Sequence, residues 1–237
     1  MRQTVDPYYA FRPQPEAVPP PPMLDYLIGV DLAEAADYTA IAVIERTVTE
    51  KVGVYRLRHL ERFQDRPYTD IARHLRGLVA ALRTAETRRA VTVIFDRTGV
   101  GAGVGHILAE SDIDGQVIAV LIHGGDQVSG DEQEGFRVPK KDLVAAVATT
   151  MQDGRLRIRP TMTLAPVLVD ELGYFRSKIN ISTGHERFEA WRERQHDDTV
   201  LAVALAVWYG ERPKQSSWDD LDSNAIAGWQ AFATRWI

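Results

Sequence analysis

Cysteine is absent from the 237-residue chain. This absence excludes disulfide frameworks, thiolate catalysis and zinc sites built on cysteine. Long hydrophobic runs are also lacking, because the longest one, at 200–209, is too short to span a bilayer. The N-terminal residues contain no apolar segment of the kind found in signal peptides. We therefore predict a protein of the reducing cytoplasm that has no membrane partner.

An excess of positive charge is missing as well. The chain has 28 basic and 33 acidic residues, which gives a net charge of −5. This balance argues against a protein that coats nucleic acid without specificity. It leaves room for a local basic groove, because affinity for phosphate depends on where the charges lie. The hydrophobic share of 45% is enough to build a sizeable core.

Composition divides the chain into three parts. Residues 1–23 include six prolines between positions 12 and 22, which favours an extended tail or linker without a core. Residues 24–211 carry the periodic hydrophobic patterns of a folded domain. Residues 212–237 are a polar tail that ends in a possible short amphipathic helix, suited either to docking on a partner or to packing on the domain itself.

Alternation and helical periodicity predict an α/β fold in which helices flank a mixed sheet. Strands are predicted at 26–31, 39–46, 52–60, 91–95 and 116–121, and the first three of them should be antiparallel. Helices are predicted at 68–83, 106–110, 140–152 and 164–175, with a last one beginning near 196. The alternating charges at 155–159 indicate an edge strand.

Acidic residues stand at the ends of two predicted strands and at the start of the last helix. Asp31 ends the first strand, Asp96 follows the strand at 91–95, and Asp197 and Asp198 precede the final apolar run. Each one alone would be read as a turn residue or a helix N-cap. If the two strands are parallel neighbours, however, their carboxyl ends coincide at the sheet edge where α/β proteins place their sites. Such a cluster predicts a site for two Mg²⁺ or Mn²⁺ ions, which prefer carboxylate oxygens and catalyse phosphodiester hydrolysis in pairs.

Basic residues cluster in the second half of the chain. Their phosphate contacts would supply salt-dependent DNA affinity that is largely independent of sequence, although ordinary solvated surfaces would show the same pattern. The predicted DNA-binding residues are Arg137, Lys140, Lys141, Arg155, Arg157, Arg159 and Lys178.

Four segments in this order resemble one known family. They read IGVDLAEAADYTAIAVIE, VTVIFDRTGVGAGVGHIL, VPKKDLVAAVATTMQDGRLRI and HDDTVLAVALAVWYG. Together they are similar to the nuclease domain of tailed-phage terminase large subunits, which has the RNase H-like fold of resolvases and integrases. In that family, three acids bind the catalytic metals. The resemblance places them at Asp31, Asp96 and Asp197 of this chain, with Asp198 as a possible fourth ligand.

The resemblance implies a metal-dependent endonuclease that cleaves concatemeric double-stranded DNA during genome packaging. Implied partners are a packaging ATPase, a small terminase subunit or a portal, and the implied location is the host cell cytoplasm. The chain departs from the family because no segment matches the phosphate-binding motif G-x-x-x-x-G-K-[ST] of the packaging ATPase. We therefore expect the nuclease part alone. Two alternatives remain open: a Holliday-junction-resolvase-like nuclease, and a non-catalytic module of nuclease fold that binds DNA or a partner.

Overall fold

The computed structural model describes residues 23–32, 37–49, 52–83, 90–100, 102–179 and 197–212. The predicted tails and the exact domain bounds at 24 and 211 are not tested by these residues, since 1–22 and 213–237 lie outside them. No helix in the described ranges is long and apolar enough to cross a membrane.

Eight strands and five helices make up the described part of the chain. The strands are β1 (Met23–Asp31), β2 (Thr39–Thr49), β3 (Val52–Phe63), β4 (Val91–Asp96), β5 (Gln116–His123), β6 (Ser129–Asp131), β7 (Gly135–Pro139) and β8 (Leu156–Arg157). The helices are α1 (Tyr68–Leu82), α2 (Ala102–Ala109), α3 (Lys140–Gln152), α4 (Ala165–Ile179) and α5 (Asp198–Glu211). The predicted α/β class is confirmed.

All strands form one mixed sheet in the order β6-β7-β5-β4-β1-β2-β3-β8. The pairs β1–β2 and β2–β3 are antiparallel, as predicted. Strand β4 lies parallel to β1, with Val30 opposite Phe95, so Asp31 and Asp96 follow at the same level. Strands β5 and β7 continue the parallel half of the sheet. The carboxyl ends of the four neighbouring strands β7, β5, β4 and β1 therefore lie at one edge.

Helices cover both faces of the sheet. On one face α1 and α2 pack over a core that includes Ile28, Val93 and Leu75. On the other face α3, α4 and α5 cover a second core that includes Leu27 and Ile94. Every residue of α5 from Asp198 to Trp208 is buried, which is the pattern of a helix enclosed on all sides.

The C-terminal end of α5 is held by charged and polar side chains from the sheet. Arg46 donates to the carbonyl oxygen of Gly210 at 2.8 Å and also pairs with the buried Asp25. Glu211 accepts from the Tyr55 hydroxyl at 2.7 Å and from both terminal nitrogens of Arg155, at 2.7 and 2.8 Å. These contacts stop α5 from sliding along the sheet.

Three elements differ from the sequence predictions. Helix α2 begins at Ala102 rather than near His106, because the glycine-rich turn before it is shorter than its composition indicates. The hairpin β6–β7 was not predicted, since its first strand reads only Ser-Gly-Asp and depends on pairing with β7. The edge strand expected at 155–159 is reduced to two residues, which pair with β3.

Candidate functional site

Three elements carry the predicted acids to the carboxyl edge of the sheet. Asp31 ends β1 and Asp96 ends β4. Side chains of a strand alternate between the two faces of the sheet, and Leu27 of β1 and Ile94 of β4 face α5, so both aspartates point to the α5 side. Asp197 directly precedes α5, which packs on β1 and β2. The parallel pairing of β1 and β4 brings the ends of these two strands side by side, and α5 begins near them.

A glycine in β1 allows α5 to come close enough. A Cβ built on Gly29 would lie 1.8 Å from the carbonyl oxygen of Ala202 in α5, well inside any possible contact. Only a residue without a side chain fits between the strand and the helix. Because Gly29 lies two residues before Asp31, this close approach also sets how near Asp31 comes to the start of α5.

The carboxylates act on one another electrostatically. The pKa of Asp31 is raised well above its ordinary value, first by burial and then by the negative charges of Asp96, Asp197 and Asp198. The nearby Lys140 ammonium opposes this effect. The arrangement therefore holds more negative charge than its own cations neutralise, which is the condition a bound divalent cation relieves.

Lys140 lies among the acids at the start of α3. Strand β7 ends at Pro139 on the same edge, and the chain passes directly into α3. The Nζ atom of Lys140 donates to Asp197 Oδ2 at 3.3 Å. Burial lowers the pKa of Lys140, while the charges of Asp197, Asp31 and Asp96 raise it in part. Lys140 was predicted as a DNA contact, and the structure places its amine inside the acidic cluster.

Asp96 is oriented by its own turn. Its Oδ1 accepts a hydrogen bond from the backbone N–H of Thr98 at 2.8 Å. The Thr98 hydroxyl in turn accepts from the N–H of Ile122 at 2.7 Å, which ties this turn to β5. The turn after β4 therefore fixes a buried carboxylate at the strand end.

Asp198 has a different environment from Asp197. Its Oδ2 lies 2.8 Å from Nη2 of Arg62 on β3, and Arg62 also lies 3.7 Å from Oε1 of Glu171 on α4. Sequence reasoning missed both Arg62 and Glu171. Nothing in their local patterns marks them, because they come from a strand and a helix that meet α5 only in the fold. Either aspartate of the pair could have been the side-chain cap of α5; Asp197 holds the N-cap position, but its side chain makes no capping hydrogen bond.

The donor atoms of this site are of the type that binds a divalent metal ion. Carboxylate oxygens are the ligands that Mg²⁺ and Mn²⁺ prefer, and Asp31, Asp96 and Asp197 supply them. Within the described ranges, however, no three His, Asp or Glu side chains stand ready to hold a metal ion together. A bound cation would have to compete with Lys140 for Asp197.

The predicted DNA-binding residues occupy several separate places. Arg137 is exposed on β7, whereas Arg157 on β8 and Arg159 after it are exposed at the far side of the sheet. Six strand spacings separate β7 from β8, or roughly 29 Å in a flat sheet. Lys141 pairs with Asp126 at 2.6 Å, and Arg155 belongs to the Glu211 network. The side chain of Lys178 lies outside the described residues.

We expect Asp31→Asn to raise stability when divalent ions are removed with EDTA. The pKa of this carboxyl group is higher in the folded protein than in the unfolded chain, so the group does not destabilise the fold at a pH below both values. As the pH rises toward and through the folded pKa, the group lowers the free energy of unfolding progressively more. The variant should therefore unfold about 3 °C higher than the parent at pH 7.5, with the gap closing toward pH 4. Thermal unfolding monitored by circular dichroism measures this. Asp170→Asn, at an exposed position on α4, is the matched control and should show no such gap.

Solved structures of low sequence identity align over most of this chain. No protein-family model and no curated protein matches the chain. The large terminase nuclease of the thermophilic phage G20c aligns with a TM-score of 0.46 at 19% identity, covering 80% of this chain and 83% of that one. The P22 large terminase nuclease domain aligns with a TM-score of 0.45 at 14% identity, covering 83% and 86%. The RuvC protein of Thermus thermophilus aligns with a TM-score of 0.37 at 12% identity, covering 80% and 94%. The first two of these neighbours are terminase nucleases, the family that the sequence segments resemble.

Proposed function

We propose that the chain is a metal-dependent DNA endonuclease that hydrolyses phosphodiester bonds. The observation that carries this proposal is the meeting of Asp31, Asp96 and Asp197 at one sheet edge. There the mutual repulsion of the aspartates contributes to raising the pKa of Asp31. Carboxylates that repel one another at the carboxyl ends of parallel strands destabilise the fold unless a bound cation neutralises them.

In the proposed reaction, Asp31, Asp96 and Asp197 hold Mg²⁺ or Mn²⁺, with two ions expected and Asp198 the candidate for a further ligand. The bound ions would activate the attacking water and neutralise charge on the phosphate. The protein itself orients these groups: the N–H of Thr98 holds Asp96, and the packing of α5 holds Asp197. Lys140, when a cation takes its place beside Asp197, is close enough to the site to offer its ammonium to a phosphate.

The proposed substrate is double-stranded DNA, with concatemeric genomes as the substrate that the family resemblance implies. The exposed Arg137, Arg157 and Arg159 would contact the backbone at separated points rather than as one patch. A packaging ATPase, a small terminase subunit or a portal remain the proposed partners.

Plasmid digestion tests the proposal. Supercoiled plasmid is incubated with the protein in Mg²⁺, in Mn²⁺ and in EDTA, and nicked and linear products are resolved on agarose gels. We expect cleavage with either ion and none with EDTA. Absence of cleavage with both ions would contradict the proposal. If DNA still binds under those conditions, the result would favour the non-catalytic module, in which Lys140 permanently neutralises Asp197.

A four-way junction and a linear duplex of the same length separate the two nuclease alternatives. Comparable cleavage of the duplex supports a terminase-like activity. A strong preference for the junction, with symmetric nicks at its centre, supports a resolvase-like activity instead.

A further inference from the structure

Two adjacent aspartates at the start of α5 have different partners: Asp197 holds the N-cap position and Asp198 is the first residue of the helix. A helix begins with N–H groups that lack partners inside the helix, and an aspartate at the N-cap is a usual acceptor for them. Asp197 occupies the N-cap position of α5, yet its side chain makes no capping hydrogen bond. Another group must therefore satisfy these donors.

That group is Glu171, which comes from α4. Its Oε2 accepts from the backbone N–H of Thr199 at 3.1 Å and from that of Val200 at 3.2 Å, as well as from the Thr199 hydroxyl. Glu171 is buried, so water does not compete for these bonds. A carboxylate from a neighbouring helix thus does the work of the N-cap side chain and also complements the positive end of the α5 dipole.

Arg62 joins this capping carboxylate to the second aspartate. Its guanidinium lies 2.8 Å from Asp198 and 3.7 Å from Glu171. The same guanidinium stacks on the ring of Tyr38, 3.7 Å from the ring centre. Only 14% of the Arg62 side chain is exposed, so both ion pairs are largely shielded from solvent. Asp198 is therefore drawn toward β3 and α4.

Asp197 is left free for the opposite direction. Its carboxylate lies 3.3 Å from Lys140 and acts on the charge of Asp31. If Asp197 capped α5, its oxygens would turn toward the N–H groups of Thr199 and Val200. The Asp197 side chain could not accept these hydrogen bonds and face the sheet edge at the same time.

We infer that Glu171 and Arg62 are positioning residues that take over the capping of α5 and the pairing of Asp198, so that Asp197 faces the acidic site. The inference rests on the proposed function for its purpose, which is to present one carboxylate to a divalent cation. Neither residue contacts the reacting atoms.

Mn²⁺ affinity measures this role without DNA cleavage. Free Mn²⁺ is followed by electron paramagnetic resonance during titration of the full chain. Glu171→Ala is expected to weaken binding at least about tenfold, which is typical when a group that orients a metal ligand is removed. Glu171→Gln keeps an acceptor oxygen and should stay within about threefold of the parent. Asp170→Ala, the adjacent exposed residue of α4, is the matched control and should bind as the parent does.

A second measurement asks whether Asp197 becomes the cap when Glu171 is lost. In the parent, Asp197→Asn and Asp197→Ala should unfold at the same temperature in EDTA, because both lose only the charge beside Lys140. In the Glu171→Ala background, asparagine can still cap α5 and alanine cannot, so the asparagine variant should unfold about 3 °C higher.

The results separate the inference from the proposed function. A parent protein that binds no Mn²⁺ refutes the metal site, while the unfolding temperatures still decide whether Glu171 replaces the cap. A clear gap between Asp197→Asn and Asp197→Ala in the parent would overturn the inference, and this comparison stands even if Glu171→Ala fails to fold. Unchanged Mn²⁺ affinity in a folded Glu171→Ala protein would overturn it as well.

Discussion

Asp96→Asn is expected to reduce DNA cleavage by at least about 10³-fold, which corresponds to about 4 kcal/mol of lost transition-state stabilisation. Asparagine has the shape of aspartate and can still accept the N–H of Thr98, so the turn after β4 should keep its geometry. It cannot supply the negative charge that holds a divalent cation. Initial rates of plasmid nicking in Mn²⁺ measure the loss, and circular dichroism verifies the fold.

Asp31→Asn and Asp197→Asn should lose cleavage to a similar extent, because each removes one of the three converging carboxylates. Asp170→Asn is the control, since it makes the same chemical change at an exposed position of α4. A parent-like rate in any one of the three site variants would remove that residue from the proposed site. Equal losses in the control would mean that the lost activity is not specific to the proposed site.

Gly29→Ala should destabilise the protein strongly and disable the site together. The added methyl group would overlap the carbonyl oxygen of Ala202, and its next neighbours at 2.9 and 3.2 Å are also backbone atoms, of Ala202 and Ala206. Backbone inside a packed layer cannot swing aside as a flexible side chain can, so α5 must move away from β1. We expect a loss of about 3 kcal/mol or more in the free energy of unfolding, at the upper end for overpacked cores. Urea unfolding measures the loss, and plasmid nicking measures the accompanying drop in activity.

Gly77→Ala is the matched control for that change. Gly77 lies in α1, and a Cβ there would meet nothing within 4 Å. Alanine favours a helix over glycine by about 1 kcal/mol, so this variant should be slightly more stable than the parent and equally active. If Gly29→Ala unfolds and cleaves like the parent, α5 does not pack against β1 as closely as described.

Local pattern was sufficient for the elements that bury their own hydrophobic residues. The hydrophobic patterns of β4 and α1 agree with their burial in the structure. Strand β4 is buried along its whole length, and α1 buries one face. The placement of Asp31 beside Asp96 followed from the same information. A strand that ends in an acid, repeated in a parallel neighbour, puts both acids at one edge whatever the loops between them do.

Elements held by other elements could not be predicted in this way. The three-residue β6 has no strand pattern of its own and exists because β7 pairs with it. The basic stretch after position 136 looked continuous along the chain, but β7 and β8 lie at opposite sides of the sheet. Nearness in sequence therefore did not become nearness in space.

The sequence by itself predicted that Asp31, Asp96 and one member of the 197–198 pair would share a site, and it determined the strands and the helix that carry them. Only the tertiary structure decided between the two aspartates, because their neighbours along the chain are nearly the same. Asp198 faces Arg62 from β3, the N–H groups behind it are taken by Glu171 from α4, and Asp197 turns to Lys140 from α3. Three partners from three separate elements direct two identical side chains apart, and no local pattern could have encoded that choice.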